Sequence, residues 1–239
     1  MKGKLTIISH IYNEEYFLPW WVNHHKEIAD EIIFIDYAST DRSLEIIKDI
    51  CPNCRIIPSR NSMFQADLVD QEVMDIESTI DGYKLCLNVT EFFIPKSDFS
   101  SILSNNEKNV YAVRRALMVD ENENDIVLPN ERLVERKRFG FIGDDPLHTN
   151  YRFLHNYEMG FYGIGRHYSQ LPNQQNTESI IFVYTWSPWT DEMLKRKLQI
   201  KNKIPTSDKD LGRGGHHFWT LEEMTEIRKH FLGISHYIK

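Results

Sequence analysis

The segment Tyr83-Lys84-Leu85-Cys86-Leu87-Asn88-Val89-Thr90-Glu91-Phe92-Phe93-Ile94-Pro95 runs from apolar residues into a polar cluster and stops at proline. In open α/β sheets, ligands sit outside the carboxyl ends of the strands. Asn88, Thr90 and Glu91 therefore stand where chemistry is expected. Their amide, hydroxyl and carboxylate groups can meet sugar hydroxyls, phosphates or, weakly, a cation. A second chemical spacing is Cys51-Pro52-Asn53-Cys54. It has redox or zinc geometry, but a zinc site needs a second ligand pair nearby. The pair reads as a loop between a helix and a strand, and three cysteines suit a reducing compartment.

The elements that must position these groups alternate. Leu5–Ser9 is a short buried strand, and Glu31–Asp36 and Arg55–Pro58 are two more. Tyr16–His25 reads as a helix, with Pro19 tolerated only in its first turn. Ser39-Thr40-Asp41 offers N-caps for a helix carrying Leu44, Ile47 and Ile50. Val69, Val73, Ile76 and Ile80 form one apolar stripe on a helix spanning 65–80, and its acidic opposite face reads as solvated. Tyr83–Leu87 follows as a strand. This order predicts βαβ units and a mainly parallel sheet.

The second half is less regular. Val110–Leu117 is strand-like, 120–130 reads as an acidic loop, and 132–168 is dense in Arg, His and aromatics. Thr190 and Thr220 are N-caps, the second in a capping box with Glu223. Between them, Leu211–His217 is a glycine loop. Tyr184, Trp186 and Trp189 are core aromatics or an apolar platform for a sugar.

With 239 residues, 41% apolar and net charge -7, the chain is an ordinary globular domain with no basic footprint for nucleic acid. No apolar run is long enough for a membrane span. The expected compartment is the cytoplasm, and contact with a membrane surface stays open.

Four pieces in order resemble the GT-A glycosyltransferases of the family-two type. They are Ile11-Tyr12-Asn13-Glu14-Glu15, Ile35-Asp36-Tyr37-Ala38-Ser39-Thr40-Asp41, Gln65 ahead of the long helix, and Leu87-Asn88-Val89-Thr90-Glu91-Phe92. The resemblance implies a single domain over 1–239, with a Rossmann-type, mostly parallel central sheet flanked by helices. Its first hundred residues would bind a nucleoside diphosphate sugar, and 101–239 would form a helical and loop region facing a glycan or glycolipid acceptor. The implied reaction moves the sugar to an acceptor hydroxyl, in polysaccharide or glycoconjugate assembly. Tyr12, Asn13, Glu14, Asp36, Arg60, Gln65, Asn88, Thr90, Glu91 and Arg166 would contact the donor.

The departure is central. The family's Asp-x-Asp holds a divalent metal that neutralises the diphosphate. Here those positions are Asn88 and Thr90. Three readings follow: an enzyme whose Arg, Lys or His residues replace the metal; weak Mn²⁺ or Mg²⁺ binding by Glu91 with His167, His216 or His217; or a transferase-like domain that binds without catalysis. Arg60, Arg166 and Arg213 can clamp phosphates bidentately. An inverting transferase also needs a base near the acceptor hydroxyl. Asp144 and Asp145 are the carboxylates placed for it, and a turn sequence accounts for them equally well.

Overall fold

The computed structural model describes residues 3–143 and 151–239. Along the chain run β1 (Leu5–Ile11), α1 (Leu18–His25), β2 (Glu31–Asp36), α2 (Ser43–Ile50), β3 (Arg55–Pro58), α3 (Ala66–Glu77) and β4 (Tyr83–Cys86). Then follow β5 (Glu91–Ile94), α4 (Phe99–Ser104), β6 (Val110–Val119), α5 (Leu133–Arg136), β7 (Phe139–Phe141), β8 (Tyr151–His155) and β9 (Gln175–Trp186). Last come α6 (Asp191–Gln199), α7 (Thr206–Asp210), α8 (Leu221–Ile234) and β10 (His236–Tyr237). The fold is α/β, a central sheet flanked by helices.

The order β3-β2-β1-β4 is parallel throughout. These strands read as unbroken apolar runs because both faces are covered. In β1 and β2, Leu5, Ile7, Ile32 and Phe34 face the core under α1 and α2, where Trp21, Val22 and Ile47 pack. Their alternates Ile8, Ile33 and Ile35 face the core under α3, with Val69 and Val73. Each such buried side chain contributes about 1.5–3 kcal/mol. Pro19 sits in the first turn of α1, where its missing N–H costs nothing.

The second half is more strand-rich than its sequence suggests. β8 joins the sheet antiparallel to β4 and to β6, and β7 and β10 extend it. The long β9 pairs parallel with β6 and antiparallel with β5. Glu91–Ile94 is thus a strand of its own, not the tail of β4. The chain turns at Asn88–Thr90 between the two, and that turn holds the polar cluster.

Cys51 and Cys54 lie in the expected loop between α2 and β3 and are joined there as a disulfide. Cys86 is a buried free thiol. No helix among the described residues is long and apolar enough to cross a membrane.

Candidate functional site

A cavity of about 630 Å³ opens at the carboxyl ends of β1 and β4. That volume suits a small-molecule ligand. Tyr12 and Glu14 follow β1, and Asn88 and Thr90 follow β4. Arg115 comes from β6, Arg152 from β8, Trp186 from β9, and Arg196 and Lys197 from α6; His216, His217 and Trp219 close the far side. The N-terminal strand ends and the C-terminal glycine loop, more than a hundred residues apart, meet here.

Glu91 organises the near end from behind the wall. It is fully buried, and its Oε2 accepts from Arg152 Nε at 2.9 Å and from the Asn88 backbone N–H at 2.8 Å. Arg115 lies 3.0 Å from Oε1, a charge contact without hydrogen-bond alignment. Burial pushes the Glu91 carboxyl up, but Arg152 and Arg115 together outweigh it and hold it at about 2. Burial lowers Arg115 to about 10, against the pull of Glu91. Two guanidinium groups sharing one carboxylate leave a positive surplus facing the cavity.

Arg152 also donates from Nη1 to His167 Nδ1 at 2.8 Å and to the carbonyl of Gly165. An arginine can only donate, so Nδ1 accepts and the His167 proton lies on Nε2. Loss of solvent, then Arg152 and Arg115, push His167 down to about 2, so it is neutral. The turn carrying it is tight: Gly165 has φ +77° and Arg166 φ +58°. Asp70 of α3 holds that turn, accepting from the Gly165 N–H at 2.6 Å and from the Arg166 guanidinium. Arg166 in turn donates to Asn88 Oδ1 at 3.2 Å.

At the far end, Glu14 is ion-paired to Arg196. Burial raises the Glu14 carboxyl, opposed by Arg196. Lys197 stands over the Trp186 ring at 4.2 Å and the Trp219 ring at 5.8 Å. Burial, with Arg196 adding to it, lowers its ammonium to about 7. The His216 and His217 rings lie 3.9 Å apart. Burial, then His216 and Lys197, push His217 down to about 2. Solvent loss and the Lys197 charge lower His216 to about 4.

Of the residues singled out from sequence, the cavity wall holds Tyr12, Glu14, Asn88, Thr90, His167, His216 and His217. Others are elsewhere. Asn13, in the left-handed region at φ +53°, uses Oδ1 to accept from Thr40 and Asp41 N–H groups. Asp36 accepts from the Ser39 N–H in a turn of its own. Arg60 is exposed, paired with Asp75 and outside the cavity wall. Gln65 occupies the N-cap position of α3, without a side-chain cap bond and outside the wall. Arg213 pairs with Asp208. Asp144 and Asp145 lie outside the described residues.

The metal ligands expected from sequence do not form a set. Glu91 is held by two arginines, Asn88 Oδ1 by Arg166, and His167 Nδ1 by Arg152. Among the described residues, no three His, Cys, Asp or Glu side chains converge to hold a metal. A divalent cation here would also face Arg115, Arg152, Arg196 and Lys197. These residues do not fit a metal; they fit an anion.

Sequence reasoning missed Arg115 and Arg152, and it noted Arg196 and Lys197 without giving them a role. The readable signal was an arginine inside each apolar strand, Val113-Arg114-Arg115-Ala116 and Tyr151-Arg152-Phe153. A charge there needs a buried partner or a ligand. The platform aromatics divide: Tyr184 and Trp186 are core, although Trp186 also shows a face to the cavity, and Trp189 is half-buried.

No family model matches the chain, and no curated protein matches it. Among solved structures, Staphylococcus aureus TarS is similar at TM-score 0.45 and 12% identity, over 92% of this chain and 46% of that one. S. aureus TarS 1–349 in complex with UDP-GlcNAc is similar at TM-score 0.39 and 16% identity, over 55% and 42%. Glucosyl-3-phosphoglycerate synthase from Mycobacterium tuberculosis, in complex with Mn²⁺ and UDP-Glc, is similar at TM-score 0.35 and 11% identity, over 47% and 44%. The chain spans less than half the length of each of these structures.

Proposed function

We propose that this protein is a glycosyltransferase that binds a nucleoside diphosphate sugar without a metal and passes the sugar to an acceptor hydroxyl. The observation that carries the reading is the cavity at Asn88 and Thr90. It lies at the turn that resembles the family's metal motif, and guanidinium groups occupy its surroundings where carboxylates would be needed for a cation. Arg115 and Arg152 stabilise the leaving diphosphate, since preorganised cations in a water-poor site act strongly on developing negative charge. The Asn88 amide and Thr90 hydroxyl orient the donor. Tyr12 belongs to the donor side, Glu14 stands between donor and acceptor through its pair with Arg196, and the glycan or glycolipid acceptor enters by the C-terminal loop.

Calorimetry with a panel of nucleoside diphosphates, in the presence of EDTA, tests this reading. Binding by one of them with chelator present is the expected result. Absence of binding by all of them at millimolar concentration would sink it.

A second reading is a transferase-like module that binds without turnover. It is favoured by one observation: Glu14, the one carboxylate of the described cavity wall, is ion-paired and so poorly placed to act as a base. A donor-hydrolysis assay separates the two, because a binding module leaves the donor intact.

A further inference from the structure

We propose that Lys197, with His216 and His217 beside it, forms a second oxyanion subsite in the cavity, which takes a phosphate or carboxylate carried by the acceptor. This rests on the donor reading above, and it names a chemical class for the acceptor.

The argument starts from counter-ions. Arg196 has Glu14, Arg115 and Arg152 share Glu91, and Arg166 has Asp70. Lys197 differs. It is 6% exposed and lines the cavity, yet among the described residues no carboxylate forms an ion pair with it. A buried ammonium without a counter-ion costs several kcal/mol in lost hydration. Indole faces attract a cation but carry no net charge to neutralise it. An incoming oxyanion supplies what is missing.

Position separates this subsite from the donor end. Asn88 is tied through Glu91 to Arg115 and Arg152, and Thr90 lies in the same turn. Lys197 is surrounded instead by C-terminal elements: Trp186 of β9, Trp219 ahead of α8, and the short turn Gly215–His217. Among the described residues, His217 Nδ1 is buried without an aligned hydrogen bond, with the Lys197 carbonyl beside the ring. The rings of Trp186 and Trp219 stack 6.1 Å apart and offer apolar faces beside the charge. A polar, anionic acceptor with C–H surface fits that pairing.

Protonation adds a signature. The charged and titratable groups around Lys197 are Arg196, itself offset by Glu14, and the two histidines, both held below their ordinary range. Between pH 6 and 8.5 the lysine is therefore the group in this cluster that changes charge. Its ammonium sits near 7 in the empty cavity, and a bound anion raises it. Anion affinity is full below pH 7 and falls as pH rises above 7, by up to roughly tenfold per unit.

The test uses inorganic sulfate, which does not titrate in this range, and glycolate as a small carboxylate. Each is titrated by calorimetry at pH 6, 7 and 8.5, with and without a saturating nucleoside diphosphate. Lys197→Met and Lys197→Arg variants are compared, with thermal unfolding as the folding control. The subsite predicts that sulfate or glycolate binds alongside the nucleotide, with affinity falling above pH 7. Lys197→Arg keeps binding and loses the pH dependence. Lys197→Met loses at least tenfold in anion affinity and less than threefold in nucleotide affinity. Preference between the two probes assigns the acceptor group as phosphate or carboxylate.

Three results would overturn the proposal: neither probe binds the wild-type protein; Lys197→Met leaves their binding unchanged; or Lys197→Met weakens the nucleotide as much as the probe, which would give Lys197 to the donor. Probe binding with the expected lysine pattern, but no nucleotide binding, would reject the donor reading and retain the subsite.

Discussion

Arg166 donates to the amide oxygen of Asn88 across 3.2 Å, and this contact decides what Asn88 can offer the cavity. A guanidinium has no acceptor, so the amide oxygen must face it and the NH₂ group must face elsewhere. Asn88 lines the cavity, so its N–H donors are the part available to a ligand. At this turn the chain presents a hydrogen-bond donor.

Asn88→Asp therefore does not create a metal site. The new carboxylate pairs with Arg166, and the donated bond to a charged oxygen, about 1.5–3 kcal/mol, is lost. Nucleoside diphosphate affinity falls about tenfold or more in calorimetry, and Mn²⁺ does not restore it. Tighter, Mn²⁺-dependent binding by this variant would show that the position still accepts a metal.

Glu91→Gln leaves Arg115 and Arg152 buried without their shared carboxylate. Breaking a buried pair by removing one partner costs about 3–5 kcal/mol. Denaturant unfolding at pH 7 should register a loss of that order. A change within 0.5 kcal/mol, the usual range for a surface substitution, would contradict the central role given to Glu91.

The same group sets an acid limb. Its folded pKa, about 2, is below an unfolded value of about 4.3. Its stabilisation is present above about pH 4.3 and is lost as pH falls toward 2. Unfolding free energies measured between pH 5 and 2.5 should drop in the wild type and drop less in Glu91→Gln. Parallel curves would remove Glu91 as the cause.

Gly165→Ala tests the turn behind His167. With φ at +77°, an alanine is strained, and its Cβ would stand 3.0 Å from the His167 ring. A cost of about 1–2 kcal/mol is expected in equilibrium unfolding. Nucleotide affinity should fall as well, because the turn also positions Arg152 and, through Arg166, Asn88. Unchanged affinity would separate the turn from the site.

Replacing Cys51 and Cys54 together by serine opens a very short loop. Loop-closure entropy for so few residues is about 2 kcal/mol. Thermal unfolding should show a loss no larger than that, with nucleotide binding intact, since the loop at the β3 start lies away from the cavity wall. A large loss of binding would tie the disulfide to the site.

Much of the first half was legible in the sequence because its information is local. Ile32–Ile35 is apolar at every position, which marks a strand covered on both faces, and Val69, Val73 and Ile76 repeat at helical spacing. The turn after Leu87 was found the same way: a polar cluster closing an apolar run, in a fold where such ends face ligands. The later strands were harder. β9 gains its stability by pairing with β5 and β6, whose residues lie about sixty or more positions earlier, and no local pattern records such a partner.

The sequence by itself determined the βαβ half of the fold, the place of the cavity at Asn88 and Thr90, and the neutral side chains at those two positions. The tertiary structure alone decided their electrostatic meaning. Only folding sets Glu91 between Arg115 and Arg152, turns the Asn88 oxygen to Arg166, and leaves Lys197 with two indoles and, among the described residues, no counter-ion. Charge pairing depends on distance through space and on exclusion of water. Neither is written in the order of residues.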